Sequence, residues 1–204
     1  MQKVSQRVSR RAAGRGLIGV PMSTRTLLSA EEFLTLPGDE PRELIRGEVV
    51  DMTPPGQRHG FVCANVAYVL NEWARRVKAG VVLTNDSTVL TERDPDTVRG
   101  PDVQFIARHR LTPAFPARGS AATPPDLIVE VVLETDLGHR VIETIVEFLD
   151  AGVQEVWVVE PEGQFVEVFH LETRPRRVEG EEPLESPQLL PGFRCSVSEF
   201  FAVY

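Results

Sequence analysis

The chain has 204 residues, 42% of them hydrophobic and 25% charged, and a formal net charge of −8. These values are typical of one globular domain with a sizeable core, and no apolar run reaches the roughly 20 residues that a membrane helix needs. The two cysteines, Cys63 and Cys195, form no Cys-x-x-Cys spacing, which argues against a disulfide framework and against a thiolate metal site. We therefore expect a cytoplasmic protein without a membrane partner.

The N-terminal segment differs in charge from the rest of the chain. Residues 1–21 carry five of the 22 basic residues and none of the 30 acidic ones, and they lack the apolar stretch and cleavage site of a secretory signal. We expect a disordered basic extension at 1–21, with a nucleic-acid-binding arm as the alternative, followed by one domain at 22–204. That domain is strongly acidic, so its composition gives no electrostatic case for a DNA-binding protein.

The first part of the domain combines helices with a hairpin. Ser29 and Glu32 have the spacing of a capping box, which predicts the start of a short helix. Residues 42–52 are typical of two short strands around Arg46 and Gly47. At 58–79 the apolar residues recur with helical spacing, which predicts a helix with one buried face. These apolar residues are Val62, Val66, Val69, Leu70, Trp73 and Val77.

The second part of the domain alternates strands and a helix. The predicted elements are a β-rich segment at 81–90, a turn leading to a strand at 102–106, a surface loop at 108–125, a strand at 126–133, a helix at 139–151 and a hairpin at 154–171. The rest is predicted to be loop, ending in a short turn at 196–201. This order predicts a single α/β domain built on a mixed sheet.

Two acids interrupt the apolar strands. Asp102 follows Pro101 at the mouth of one strand, and Glu130 lies between Val129 and Val131 in the next. A buried carboxylate is costly unless it has a partner, a proton or a metal. If the two strands are neighbours, the carboxylates meet, and Mg²⁺ or Mn²⁺ would offset their repulsion and activate water for phosphodiester cleavage. The alternative is that Asp102 caps a turn and Glu130 pairs with an arginine.

Several motifs of the chain resemble, in order, one nuclease family. They are "RELIRGEVVDMTPPGQRH", "GPDVQFI", "PPDLIVEV", "FLDAGVQEVWVVEPEGQFVEVFHL" and "LLPGFRCSVSEFF". They resemble the Uma-two family of the PD-(D/E)XK nuclease superfamily from about Leu27 to the C-terminus. The resemblance implies a restriction-endonuclease-like fold, in which helices flank a mixed sheet, and cleavage of DNA that depends on Mg²⁺ or Mn²⁺.

The resemblance also assigns site residues. It places the two metal carboxylates on Asp102 and Glu130, and it matches Glu48 to an acid that reaches the metal site. His59 matches a family position and fits a contact to phosphate or water, or a role in helix capping. Asp136 fits a site acid or, more simply, the N-cap of the helix at 139–151.

The family's lysine is missing from this chain. The superfamily position two residues after Glu130 is Val132, and the lysine that the family supplies from the following helix corresponds to Thr144. Arg140 lies one turn before Thr144 and is expected to extend toward the acid pair and partly neutralise it. A guanidinium is a poor base, so His139 or an external water would have to move the proton.

Three functions remain open from the sequence. The first is a metal-dependent endonuclease with Asp102, Glu130, Glu48 and Arg140 in its site. The second is a catalytically degenerate nuclease-fold protein that acts as a binding or scaffold homodimer, which the loss of the lysine at Thr144 favours. The third is a structural homodimer whose acids only form salt bridges. The remaining unusual residues are expected at the surface (His170) or in the core (Trp73 and Trp157).

Overall fold

The computed structural model describes residues 26–38, 40–113, 115, 124–132 and 138–203. The extension expected at 1–21 and the side chain of Asp136 lie outside the described residues, but the N-cap of the helix His139–Asp150 is Gly138, so the N-cap role predicted for Asp136 is wrong. The helices are α1 Ala30–Phe33, α2 Gln57–Val77 and α3 His139–Asp150, with 3-10 turns at Arg108–Arg110 and Val197–Phe200. The strands are β1 Arg42–Ile45, β2 Glu48–Asp51, β3 Gly80–Thr84, β4 Val89–Glu92, β5 Thr97–Arg99, β6 Val103–Ala107, β7 Leu127–Val131, β8 Glu155–Glu160, β9 Phe165–Phe169, β10 Arg176–Glu179, β11 Pro183–Leu184 and β12 Cys195–Ser196.

Local sequence signals account for the ends of several elements. Ser29 and Glu32 form the predicted capping box at the start of α1, with the Ser29 hydroxyl accepting from the Glu32 amide at 3.2 Å. Arg46 and Gly47 both have positive φ, at 51° and 80°, as a two-residue type I′ turn between β1 and β2 requires. The predicted hairpin is formed by β8 and β9, which pair in antiparallel register.

The main sheet has six strands in the order β10-β9-β8-β7-β6-β3. The pair β7–β8 is parallel and the other neighbours are antiparallel, which confirms the predicted mixed sheet. The helix α3 lies between β7 and β8 in the chain and forms the crossover that a parallel pair needs. A smaller sheet has the order β2-β1-β5-β4.

The two faces of the main sheet are covered by different helices. One face packs against α2, whose side chains Val62, Val66, Leu70 and Trp73 are buried as the helical spacing predicted. The other face packs against α3 through Ile145, Phe148 and Leu149. Because side chains alternate along a strand, each central strand contributes to both cores. Both tryptophans, Trp73 and Trp157, are packed in the first of these cores, as predicted.

The C-terminal segment differs from the loop that the sequence predicted. It forms the edge strand β10, and its apolar side chains join the core beneath α2. Phe193 contacts Trp73 edge-on at 5.6 Å, and Val178 in β10 is fully buried. The prolines and charged residues of this segment obscured its pattern, because a short edge strand tolerates both. The strand β5 likewise replaces part of a predicted turn.

Among the described residues, no helix has both the length and the apolar character that crossing a membrane requires.

Candidate active site

A cavity of about 670 Å³ opens where β6 and β7 meet the first turn of α2 and the smaller sheet. Its size is within the range of ligand sites in proteins. Among the described residues, five acidic side chains from five different segments line it: Glu43, Asp86, Asp102, Glu130 and Glu162. Two arginines, Arg42 and Arg58, lie among the other lining residues. The cavity is therefore acidic, with cationic groups present as well.

Asp102 and Glu130 are brought together by the pairing of β6 with β7. Val103 is paired with Val129 in antiparallel register, and one further step places Asp102 opposite Glu130. Directly opposite residues in an antiparallel pair point to the same face of the sheet. The Val131 amide donates to Asp102 Oδ2 at 2.7 Å, which fixes this end of the pair. The strands that carry the two acids are thus neighbours, as the sequence reasoning required.

The electrostatic environment of Glu130 disfavours its charged form. Burial raises the pKa of Glu130 well above its ordinary value, and the charges of Asp102 and Glu43 raise it further. The charge of Arg99 acts in the opposite direction. At the rim, partial burial and the charge of Asp102 raise the pKa of Asp86 as well. The cavity holds more negative charge than its own cations neutralise.

Glu43 is held by a network that sequence reasoning missed. Its carboxylate accepts from Arg99 at 2.9 Å and from the Gly100 amide at 3.1 Å. Arg99 in turn donates to Glu147 of α3 at 3.0 Å and 2.6 Å. The network joins β1, β5 and α3. Two of its members, Arg99 and Gly100, come shortly before Asp102 in the chain. Strand alternation places Glu43 on the face of β1 opposite the buried Leu44, so the local pattern gave no signal for these partners.

Glu48 is placed differently from Glu43. It lies on β2, opposite Ile45 of β1, and its side chain is exposed. The residues that line the cavity include Glu43 but not Glu48. The role expected for Glu48 stays a prediction, and Glu43 is the acid of this hairpin that the fold brings to the cavity.

His59 and Cys63 contribute a nitrogen and a sulfur next to Asp102. His59 Nε2 lies 3.2 Å from Asp102 Oδ2, and His59 Nδ1 lies 3.4 Å from Cys63 Sγ. The hydrogen bond to Asp102 raises the pKa of His59 although burial opposes the rise. Gly56 is the N-cap of α2, so the capping role considered for His59 is wrong. His59 is the third residue of the helix and points into the cavity.

Arg140 and Thr144 lie on α3, outside the group of residues that line the cavity. Arg140 is exposed, and the Thr144 hydroxyl donates to the Arg140 carbonyl at 3.0 Å. The described cation whose charge lowers the pKa of Glu130 is Arg99. The neutralising role expected for Arg140 therefore stays a prediction without a contact to support it.

The donor set of the cavity fits a hard divalent cation. Asp102 and Glu130 offer carboxylate oxygens, the ligands that Mg²⁺ and Mn²⁺ prefer. Gln104 lies two residues from Asp102 on the same face of β6, and it is fully buried. Its Nε2 donates to the Ser87 carbonyl at 2.6 Å, whereas its Oε1 has no hydrogen-bond partner. A buried acceptor without a partner is unusual in native proteins, but Gln104 is not among the residues that line the cavity, so the fit to a cation depends on the two carboxylates.

His170 has a partner that the sequence did not reveal. Its Nε2 lies 3.6 Å from the carboxylate of Glu155, which is buried at the start of β8. Ser186 also donates to this carboxylate, at 2.6 Å. These hydrogen bonds join the C-terminal segment to the N-terminal end of β8. None of the three residues lines the acidic cavity.

Comparison with known proteins agrees with this architecture. The family model described as "Putative restriction endonuclease" matches residues 30–198. Among solved structures, the chain is similar to a "putative nuclease belonging to DUF820" from Anabaena variabilis, with a TM-score of 0.70 and 20% identity over 85% of this chain and 97% of that chain. At this identity the likeness shows a shared fold. No curated protein matches the chain. Because the family model spans most of the domain, the chain belongs to the Uma-two family of restriction-endonuclease-like proteins.

Proposed function

We propose that the protein is a metal-dependent endonuclease that hydrolyses phosphodiester bonds of DNA in the acidic cavity. The observation that carries this proposal is the position of Asp102 opposite Glu130 on adjacent strands, with both side chains lining one cavity. The family described as "Putative restriction endonuclease" supports a nucleic acid as the substrate.

Asp102 and Glu130, which both line the cavity, would hold the cation. When bound, Mg²⁺ or Mn²⁺ lowers the pKa of a water and stabilises the negative charge that develops on the phosphate. The protein's own contribution is to hold two carboxylates in one place. The Val131 amide does this for Asp102 by donating to Oδ2.

His59 is the group in the cavity that can hold or move a proton. Its Nε2 lies 3.2 Å from Asp102, so the carboxylate orients the ring as in other His–Asp pairs of active sites. Arg42 and Arg58 line the cavity and pair with the exposed carboxylates of Glu40 and Glu162. Exposed ion pairs are weak, and the Arg58–Glu162 pair is about half exposed on both sides, so Arg58 is the guanidinium better placed to exchange its partner for a backbone phosphate.

Nicking of supercoiled plasmid tests the proposal. The protein with Mg²⁺ or Mn²⁺ should convert supercoiled DNA to nicked circles, and chelation should stop the reaction. Asp102→Asn and Glu130→Gln should each lower the rate at least about a hundredfold. Glu43→Gln and Glu48→Gln form a matched pair, in which only the first acid lines the cavity. Nicking activity that survives both Asp102→Asn and Glu130→Gln would show that the cavity is not the catalytic site.

A catalytically degenerate protein that acts as a binding or scaffold homodimer is the second candidate. The specific observation in its favour is that Thr144, at the position of the family's lysine, uses its hydroxyl on the Arg140 carbonyl. Thr144→Lys separates the two candidates. A large gain in nicking with Mg²⁺ indicates a nuclease site that lacks only this charge. DNA binding without cleavage in both proteins, together with a dimer in sedimentation, favours the scaffold.

A further inference from the structure

The residues His59, Cys63 and Asp102 form a cluster with three different kinds of donor atom. His59 and Cys63 are one turn apart on α2, and both face the start of β6. One ligand atom of each residue lies within 4.8 Å of the other two. The hard-cation site described above uses Asp102 but neither the imidazole nor the thiol. The proton role proposed for His59 leaves the nearby thiol of Cys63 without a role.

The cluster needs an adjustment to form a tetrahedral metal site, because the two short contacts of His59 use opposite nitrogens of its ring. Bonds of about 2.1 Å to nitrogen or oxygen and about 2.3 Å to sulfur put neighbouring donors roughly 3.4–3.6 Å apart. His59 Nδ1 and Cys63 Sγ are 3.4 Å apart, and His59 Nε2 and Asp102 Oδ2 are 3.2 Å apart. One imidazole nitrogen must serve both neighbours, so a rotation of the ring is the adjustment that binding requires.

We propose that His59, Cys63 and Asp102 form a second metal site that binds a transition-metal ion of the Zn²⁺ or Co²⁺ type. Nitrogen and sulfur donors favour such ions over Mg²⁺ and Mn²⁺, which prefer oxygen. Three protein ligands leave a fourth position open to water. His59 and Cys63 have an i, i+4 spacing, but Asp102 is 39 residues from Cys63 in the chain, so no local pattern predicts the three ligands together.

The surroundings of the cluster attract a cation but hold the thiol proton. Burial raises the pKa of the Cys63 thiol above its usual value, and the charges of Asp102 and Glu130 add to the rise. An arriving ion must therefore displace this proton. The Cys63 S–H bond breaks, a sulfur–metal bond forms, and the proton passes to solvent.

The two metal sites share Asp102 and therefore compete. This part of the inference rests on the proposed function, because it assumes that the hard cation is held by Asp102 and Glu130. An ion bound to His59, Cys63 and Asp102 withdraws Asp102 from the hard-cation site and adds a positive charge beside Glu130. Zn²⁺ is expected to act as an inhibitor that excludes Mg²⁺.

Titration with Co²⁺ tests the second site without any measurement of nuclease activity. A cobalt–thiolate bond produces a charge-transfer absorption band in the near ultraviolet, so Co²⁺ should produce this band in the full chain. Cys63→Ser and Cys63→Ala should abolish it and weaken Co²⁺ binding at least tenfold. Cys195 is the matched control, because it is the other cysteine and is buried in the core beneath α2. Cys195→Ser should leave the band unchanged.

A second pair of variants separates this inference from the proposed function. Glu130→Gln should lose Mn²⁺ binding, followed by electron paramagnetic resonance, while it retains the Co²⁺–thiolate band. Cys63→Ser should lose the band while it retains Mn²⁺ binding, and Zn²⁺ should displace Mn²⁺ from the unmodified protein. If the band is absent, or persists in Cys63→Ser, the second site is excluded. If the band depends on Cys63 but Zn²⁺ leaves Mn²⁺ bound, the competition is excluded.

Discussion

Asp102, the residue just before β6, lies one step beyond the Val103–Val129 pair and so opposite Glu130 of β7, and the Val131 amide donates to Asp102 at 2.7 Å. Two carboxylates in this arrangement repel each other, and burial strengthens the repulsion because fewer water molecules screen it. The metal-free fold therefore stores an unfavourable interaction that a divalent cation or the loss of one charge would relieve.

Removal of the Glu130 charge should stabilise the metal-free protein. Because the folded-state pKa of Glu130 is raised above 4.5, ionisation of this residue disfavours the folded state at neutral pH. The cost is absent below the unfolded-state pKa and grows as the pH rises toward the folded-state pKa. Glu130→Gln should raise the free energy of unfolding by about 1–3 kcal/mol near pH 8, measured by urea denaturation, and give no gain near pH 4.

The same measurement with Mn²⁺ should reverse the order of stability. Saturating Mn²⁺ stabilises a protein that binds it by about 2.7 kcal/mol at a hundred times the dissociation constant, and Glu130→Gln should lose this gain. Glu179→Gln, on an exposed part of β10, is the control and should change neither value. A wild-type protein that Mn²⁺ does not stabilise would contradict the assignment of the acid pair as a cation site.

The acid pair could be predicted from the sequence for a simple physical reason. A carboxylate inside an apolar strand is costly to bury, so Glu130 stood out against Val129 and Val131. The strand alternation and the mixed sheet followed from local patterns in the same way. The resemblance to a nuclease family then indicated which acid was its partner.

The network around Glu43 could not be predicted from local patterns. Arg99 and Glu147 are 48 residues apart in the chain, so no local pattern relates one to the other. Their burial depends on how the smaller sheet packs against α3, which no window of sequence contains. The interaction of His59 with Asp102 was missed for the same reason, because helix position alone did not fix the direction of the imidazole.

The pH dependence of stability should report on His59. Its folded-state pKa is raised above 6.5 by the hydrogen bond to Asp102, so the interaction contributes fully below pH 6.5. The contribution is lost as the pH rises through the folded-state pKa. Relative to His59→Gln, the wild type should be more stable by about 1–2 kcal/mol near pH 6, and the difference should shrink toward pH 9. His109→Gln, on an exposed turn, is the control. A difference in the free energy of unfolding that does not change with pH would show that His59 and Asp102 do not form a charged pair.

Arg99 should be important for the stability of the domain. Glu43 and Glu147 have side chains that are 14% and 12% exposed, and both pair with Arg99. Arg99→Met leaves these two charges without their partner, which should cost about 3–5 kcal/mol in the free energy of unfolding. The double variant Arg99→Met/Glu147→Leu should recover part of the loss because it removes one of the unpaired charges.

The control for Arg99 is an arginine in an exposed ion pair. Arg194 pairs with Glu185 at 3.5 Å, and its side chain is 68% exposed. Arg194→Met should change the free energy of unfolding by at most about 1 kcal/mol. Equal effects of Arg99→Met and Arg194→Met in chemical denaturation would mean that the network contributes no more than a surface pair.

Arg140 offers a direct comparison between the sequence-based expectation and the structure. If Arg140 neutralises the Asp102–Glu130 pair, Arg140→Ala should cost about 1–3 kcal/mol without metal, and Mn²⁺ should recover much of the loss. The structure favours a different result, because Arg140 is exposed on α3 and does not line the cavity. Surface substitutions of this kind usually change stability by less than about 0.5 kcal/mol. We therefore expect the melting temperature of Arg140→Ala to match that of the wild type with and without Mn²⁺. A loss of stability that Mn²⁺ recovers would instead show that Arg140 neutralises the acid pair together with Arg99.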